Sequence, residues 1–482
     1  MKLIRSLLSL YSLHYPATLT YMLQASEYHS DAYLKWLHRT HDFSRVEYRR
    51  KLDLTLKAKL IKLSITLGIL VQILGGLALI VYGAITPGAS WAWEFGAALV
   101  IVYPIIWPYL VILPLELGRL VIVEPSQARQ VEQTEEIFKS HQATKIAVAG
   151  SYGKTSMKEL LSVVLGSKKI VAATVANHNV AIEHAKFARK LTGKEEILII
   201  EYGEGGPGDV ARFSQHTHPD IAIITGLAPA HLDRYKSLAQ AGKDILSLAD
   251  YVDSKNVYLN GDSSALSPFI KNSYHSYTEE GVGKWKVSDV SVSITGTSFS
   301  LQNSKQKLNL TSGLLGRHQI GPLSLAAMLG LKFGLNNKEV EQAIAETKPY
   351  EHRMQPYELS GAWIIDDTYN GNVDGIKAGT ELLHELPAKR KIYVTPGLVD
   401  QGSETKTVHL RVGQLIAAAQ PDVVVLMQNS VTGFIQEGLK EGNFKGELKL
   451  VSDPLDFYRN LESFVAAGDL VLMQNDWTDN YA

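Results

Sequence analysis

The 482-residue sequence predicts an α/β protein that carries an N-terminal transmembrane helical hairpin. Three observations point there. Two long uncharged apolar runs lie before residue 116. A glycine-rich loop near residue 150 joins an apolar strand to a helical segment. Short apolar strands then alternate with helices to the end of the chain, the pattern of parallel sheets. The expected order is hairpin, a central parallel-sheet domain with a P-loop of ATPase type, and a C-terminal Rossmann-like α/β domain.

Residues 1–62 form the first element, a basic membrane-surface region. They hold eleven Lys or Arg against five Asp or Glu, and Lys57, Lys59 and Lys62 lie close to the first apolar run. Within this region Ser6 to Ser26 is uncharged but rich in Ser, Thr, His and Gln, without a small-residue cleavage site. Leu3, Leu7, Leu10 and Tyr11 have helical spacing, so an interfacial amphipathic helix is expected. Leu63 to Trp93 and Phe95 to Leu115 contain no charged side chain. Each is long enough for the roughly 20 residues that a bilayer crossing needs. Spans near 63–83 and 95–115 follow, joined by the turn Thr86-Pro-Gly-Ala-Ser90, with Pro104, Pro108 and Pro114 expected to kink the second. Basic flanks put both ends of the hairpin on the cytoplasmic side, and the rest of the chain with them. The expected location is the cytoplasmic membrane, in contact with its lipid. Residues 116–139 read as a linker.

Composition narrows the remaining choices. A net charge of −1 excludes a chain-wide basic field for nucleic acid. No cysteine is present, which removes disulfides, thiolate metal sites and a cysteine nucleophile together.

The central domain, 140–350, opens with the strand Lys145–Ala149 and runs into Gly150-Ser151-Tyr152-Gly153-Lys154-Thr155-Ser156. This is a phosphate-loop pattern with a shortened gap. Glycines let backbone N–H groups approach phosphate, the following helix adds its positive N-terminus, and Lys154 neutralises charge. Thr155, with Ser156 beside it, offers a hydroxyl to Mg²⁺. Strands are expected at 197–200 and 221–225, with a small antiparallel insert over 286–301. The C-terminal domain, 351–482, has strands at 363–365, 391–395, 423–427, 448–451 and 470–473. A hinge is expected at Lys348–Arg353, where Pro349 and a polar run mark the boundary.

Several blocks beyond the loop resemble the Mur ligase superfamily, closest to its MurF type. They are Thr174-Val-Ala-Asn177-His-Asn179, Ile199-Ile-Glu201-Tyr-Gly203 and Thr225-Gly-Leu-Ala-Pro-Ala-His231-Leu-Asp233. Leu259-Asn260-Gly-Asp262, Gly316-Arg317-His318-Gln319, and Arg353 followed by Asp366-Asp367-Thr-Tyr369-Asn370-Gly-Asn372 complete the set. The resemblance covers about 140 to the C-terminus. It implies an ATP-dependent ligase that turns a carboxylate into an acyl phosphate and lets an amine attack it, in cell-wall precursor synthesis. It also implies roles: Lys154, Glu201, His231 and Lys243 in catalysis, and Thr155, Glu201 and His231 around Mg²⁺. Gly150, Ser151, Gly153, Lys154, Thr155, Ser156, Asn177, Gln319, Arg353 and Asp367 are the implied ATP-binding residues.

Three departures qualify the match. Gln319 stands where an asparagine is usual. Lys243, twelve residues past His231, is either the family's carbamylated lysine or an ordinary helix-surface lysine. Residues 1–139 stand in place of a UDP-sugar-binding domain. The acceptor is then either a lipid-linked precursor presented at the membrane, or the hairpin only anchors the chain to membrane-bound wall-synthesis partners. The amine donor is an amino acid or dipeptide. The competing class is a membrane-anchored nucleotide-binding module that regulates or scaffolds wall synthesis.

Overall fold

The computed structural model describes residues 8–26, 28–40, 43, 52–175, 178–228, 235, 237–369, 371–399 and 401–475. The chain divides into two compact units, one reaching to Gln127 and one beginning at Ala128.

The first unit is helical. Leu56–Ile85 and Ser90–Leu110 form an antiparallel pair, and the second helix is followed by Ile112–Gly118 and a π turn, Arg119–Val123. Both helices are long and apolar enough to cross a membrane, by length and composition. They pack through small residues. A Cβ on Gly96 would lie 2.4 Å from the Gly76 carbonyl oxygen, so only glycine lets the backbones approach this closely. Gln72 makes the one polar clasp described in this seam, accepting from Trp107 Nε1 at 2.8 Å and donating to Leu99 O at 2.9 Å. Leu67, Leu70, Val71 and Leu74 face outward and exposed.

Pro104 and Pro108 do not end the second helix, which runs through both to Leu110. Pro108 has no N–H, so the Pro104 carbonyl loses its helical donor. Tyr15 replaces it, its hydroxyl donating to Pro104 O at 2.5 Å. Tyr15 belongs to the helix Tyr15–Ala25, which buries Leu19, Met22 and Leu23 against Ile61, Ile65 and Ile69 of the hairpin. The segment expected on the membrane surface is therefore packed onto the hairpin along this part. Leu3 and Leu7 lie outside the described residues. The stretch expected as a linker is helical, continuing as Glu124–Ser140.

The second unit holds two sheets. The first has ten strands, with β1 (Thr144–Ala149), β2 (Val171–Ala173), β3 (Ile197–Glu201), β4 (Ile221–Ile224), β5 (Val257–Asn260) and β6 (His275–Thr278) in parallel. The near-continuous apolar runs of β1, β3 and β4 suit strands covered on both faces. β7 (Gly281–Val282), β8 (Trp285–Ser293), β9 (Gly296–Gln302) and β10 (Lys307–Ser312) continue antiparallel from β6. The expected insert is thus an extension of the main sheet. The order β10-β9-β8-β7-β6-β5-β4-β1-β3-β2 places the β1 end between β3 and β4. The direction in which successive strands are added reverses there, and open α/β sheets bind ligands at such a point.

The second sheet has six strands: β11 (Gln355–Leu359), β12 (Ala362–Asp367), β13 (Arg390–Thr395), β14 (Val423–Met427), β15 (Glu447–Val451) and β16 (Asp469–Gln474). Only β11 is antiparallel. Between the sheets, Tyr350 and Arg353 pair in an isolated bridge, and His352 and Met354 adopt left-handed φ of 58° and 48°. Non-glycine residues in that region store local strain. It coincides with the segment expected as a hinge.

Candidate active site

The loop after β1 is shaped by its glycines. Gly150 has φ +143°, and a Cβ there would meet Thr225 Oγ1 at 2.4 Å. Gly153, at φ +74°, turns the chain into the helix Lys154–Gly166. Ser151 N donates to Gly226 O at 2.9 Å, tying the loop to the end of β4. Asn260 Nδ2 donates to Thr225 O at 2.9 Å and fixes that end in turn. The helix N-terminus and its unpaired N–H groups thus open beside the β1 end, an arrangement suited to phosphate.

Glu201 ends β3 and is 1% exposed. Its Oε1 accepts the Thr155 hydroxyl at 3.1 Å and lies 3.4 Å from Asn179 Nδ2. Its Oε2 is 3.2 Å from Lys158 Nζ, a fully buried ammonium one helical turn past Lys154. The backbone of Glu201 is held as well. Thr174 Oγ1 accepts from its N–H at 3.0 Å, and His184 Nε2 lies 2.9 Å from its carbonyl oxygen. Burial lowers the His184 pKa to about 4, so the ring is neutral. The carbonyl only accepts, so Nε2 carries the proton.

The C-terminal part contributes from β12 and the hinge. Asp367 Oδ2 accepts from Gln474 Nε2 at 2.8 Å, and Oδ1 from Met354 N at 3.2 Å. The parallel register pairs Asp367 with Gln474 directly. Burial raises the Asp367 carboxyl to about 7 despite these donors. Asp366 serves the local turn: Oδ1 accepts from Thr368 N at 3.1 Å and Oδ2 lies 2.8 Å from His352 Nδ1. The Arg353 guanidinium stacks 4.1 Å over the Tyr369 ring.

One cleft of about 500 Å³ gathers these groups. Ser151, Gly153, Lys154, Thr155, Ser156, Glu201, Gln319, Arg353 and Asp367 all line it. Lys243 does not: it is exposed on the helix Leu238–Leu246, as an ordinary surface lysine would be. Asn177 and His231 lie outside the described residues. Among the described residues no group of three or more His, Asp or Glu is placed to hold a metal. Thr155 and Glu201 do supply two hard oxygen donors side by side, which suits a Mg²⁺ that keeps several waters.

Two domain models of one family match along this framework. Residues 148–330 match the Mur ligase middle domain, and residues 352–474 match the Mur ligase glutamate ligase domain. The chain belongs to the Mur ligase family. Among relatives of this Mur ligase is the UDP-N-acetylmuramoyl-tripeptide–D-alanyl-D-alanine ligase of Escherichia coli K12, 28% identical over 306 residues. That alignment covers 59% of this chain and 64% of the relative. The Bacillus subtilis ligase of the same name is 26% identical over 340 residues, covering 68% and 72%. A solved MurF ligase from Thermotoga maritima, in complex with ADP, superposes with a TM-score of 0.64 at 22% identity, covering 73% of this chain and 81% of its own. The chain spans just under two thirds of the Escherichia coli relative.

Sequence reasoning missed three cleft or near-cleft groups of this Mur ligase. Lys158 follows Lys154 by four, so it lies on the same helical face, yet nothing in the sequence marks it as buried. Glu204 lines the cleft three residues after Glu201. Gln474 pairs with Asp367 across more than a hundred residues, a contact that only the sheet register sets.

Proposed function

We propose that this Mur ligase is a membrane-anchored, ATP-dependent carboxylate–amine ligase of cell-wall precursor synthesis. The observation that carries the reading is the single cleft faced by the phosphate loop on one side and by Arg353 and Asp367 on the other. A carboxylate oxygen of the acceptor attacks the γ-phosphorus of ATP, and the bond to ADP breaks. The amine then attacks the acyl carbon, the amide forms, phosphate leaves, and the amine releases a proton. Lys154 and the loop amides hold the triphosphate and stabilise charge that develops on it. Asp367 accepts from the ribose, and Arg353 meets the phosphates as the hinge at Lys348–Arg353 closes and excludes water from the acyl phosphate. Thr155 and Glu201 would hold Mg²⁺, with His231 expected to join them. When bound, that ion neutralises phosphate charge.

By analogy with the relatives' names, the acceptor is a muramoyl-peptide precursor and the amine is D-alanyl-D-alanine or a similar dipeptide. The exposed apolar hairpin favours a lipid-linked acceptor, since anchoring raises the effective concentration of enzyme and substrate on one surface. Hydroxylamine trapping of the acyl phosphate tests the reaction, with UDP-linked and lipid-linked acceptors compared in the presence of ATP and Mg²⁺. Absence of any hydroxamate across both acceptor classes would leave a nucleotide-binding scaffold as the better description.

Two expectations follow. Carbonate or high-salt washing should leave the full chain in the membrane fraction; release into the supernatant would rule out the anchored hairpin. Nucleotide affinity should rise between pH 6 and 8. With Asp367 raised to about 7, half of it is protonated near neutrality, and the protonated acid is the poorer ribose acceptor. Ionisation restores the acceptor as pH increases, so the sign is positive. Asp367→Asn should bind more weakly and lose this pH dependence, as read by titrating a fluorescent ATP analogue. A pH slope unchanged in Asp367→Asn would move its origin elsewhere.

A further inference from the structure

One acidic side chain in the cleft has no part in the chemistry above. Glu204 sits in the turn Gly203-Glu204-Gly-Gly-Pro-Gly208 after β3. The turn is pinned at both ends. Gly203 N donates to Asn179 O at 2.7 Å, and a Cβ on Gly203 would crowd Asn179 Oδ1 at 2.7 Å. Gly208 N donates to Asp244 Oδ1 at 2.7 Å, and Asp244 is itself fixed by the Tyr235 hydroxyl at 2.9 Å. Held between these anchors, Glu204 is only 9% exposed and reaches over the phosphate loop. Its Oε2 accepts the Ser151 hydroxyl at 3.1 Å, and its Oε1 lies 3.6 Å from Lys154 Nζ.

A carboxylate therefore engages the loop lysine and the loop serine that the triphosphate needs. Two anions in one partly buried site repel, and a cation between them or partial neutralisation of one relieves the repulsion. We propose that Glu204 makes nucleotide binding conditional on a divalent cation, competing with free ATP for Lys154 and Ser151 but yielding to the Mg²⁺ complex, whose charge is partly neutralised. The inference rests on the nucleotide reading of the cleft. It assigns Glu204 a role in specificity, as a discriminator between free and chelated nucleotide, with no contact to the reacting atoms.

The test is equilibrium binding of trinitrophenyl-ATP to the full chain in detergent, in Mg²⁺ and in EDTA. Wild type should bind about tenfold more weakly in EDTA, about 1.4 kcal/mol. Glu204→Gln keeps the shape and one acceptor oxygen for the Ser151 hydroxyl but removes the charge. It should shrink the difference to within about threefold by tightening metal-free binding, with the melting temperature serving as a check on folding. Glu204→Ala should do the same. An unchanged metal-free affinity in both variants would overturn the proposal. So would a loss of about tenfold in Mg²⁺ by Glu204→Gln, because Glu204 would then support the cation or the loop. Equal wild-type affinities in the two buffers overturn the proposal alone. Wild type that binds nucleotide in neither buffer overturns the ligase reading with it.

Discussion

Lys154→Ala is expected to lower ATP-dependent ligation by about 10²–10³-fold or more, the cost of losing one positioned charge-stabilising donor in a water-poor site. The lysine lies in the cleft, half-buried, with its ammonium near Glu204 and bonded to the Gly150 carbonyl. It packs no core, so the variant should unfold at a temperature close to wild type. Apart from the Gly150 carbonyl contact, the loop is held by bonds that do not use the lysine side chain: Ser151 N to Gly226 O, Thr225 N to Ala149 O, and Asn260 Nδ2 to Thr225 O. The measurement is ligation rate beside a thermal melt. Ligation at wild-type rate by the purified variant would remove the phosphate-loop assignment, and with it the proposed reaction.

Lys158→Met should also reduce ligation, but by lowering the stability of the fold. Lys158 is fully buried, and its ammonium faces Glu201 Oε2 at 3.2 Å and Glu159 Oε1 at 3.3 Å. Removing one partner of a buried pair leaves the other charge uncompensated, which costs about 3–5 kcal/mol. Urea denaturation of the full chain in detergent should show a loss of that order. The double variant Lys158→Met with Glu201→Leu should recover much of the stability, because apolar replacements of a buried pair are often neutral. Ligation should stay lost, since Glu201 also meets Thr155 in the cleft. A single variant within about 1 kcal/mol of wild type would mean that the pair contributes little.

These two lysines show what the sequence makes legible. Lys154 is announced by local chemistry: an apolar strand, two glycines with fixed spacing, and a helix start. The loop pattern offers the Thr155 hydroxyl and the family resemblance adds Glu201, and β3 beside β1 brings the two within a hydrogen bond. Lys158 and Glu204 carry no such signature. A lysine at i+4 on a helix is usually solvated, and a glutamate in a glycine-rich turn usually faces water. Their burial follows from which strands neighbour β1, a property of the sheet order and not of any local window. The helical character of 116–139 is hidden for a different reason. Its charges read as a linker, while the helix carries them on a solvated face, with only Thr134 and Phe138 buried in its last turns.

The ten-stranded sheet ends at β10, and that end bears on solubility. An open strand edge presents unpaired N–H and C=O groups to any other chain, which is a route to aggregation. On β10 the outward Asn309 N–H is taken by Glu341 Oε1 at 2.8 Å, from the helix Asn337–Ala345. At the far end β2 has only three residues. Both margins of this sheet are thereby blunted. The smaller sheet has two margins: β11, which carries Pro356, and β15, where Leu448 and Leu450 are 37% and 43% exposed. Lys449 and Glu447 beside them form an ion pair at 3.4 Å, and the cost of stripping water from these charges opposes pairing of this edge with another copy. Neutralising those two side chains should therefore turn a well-behaved preparation into one that self-associates through β15, without any change inside the cleft.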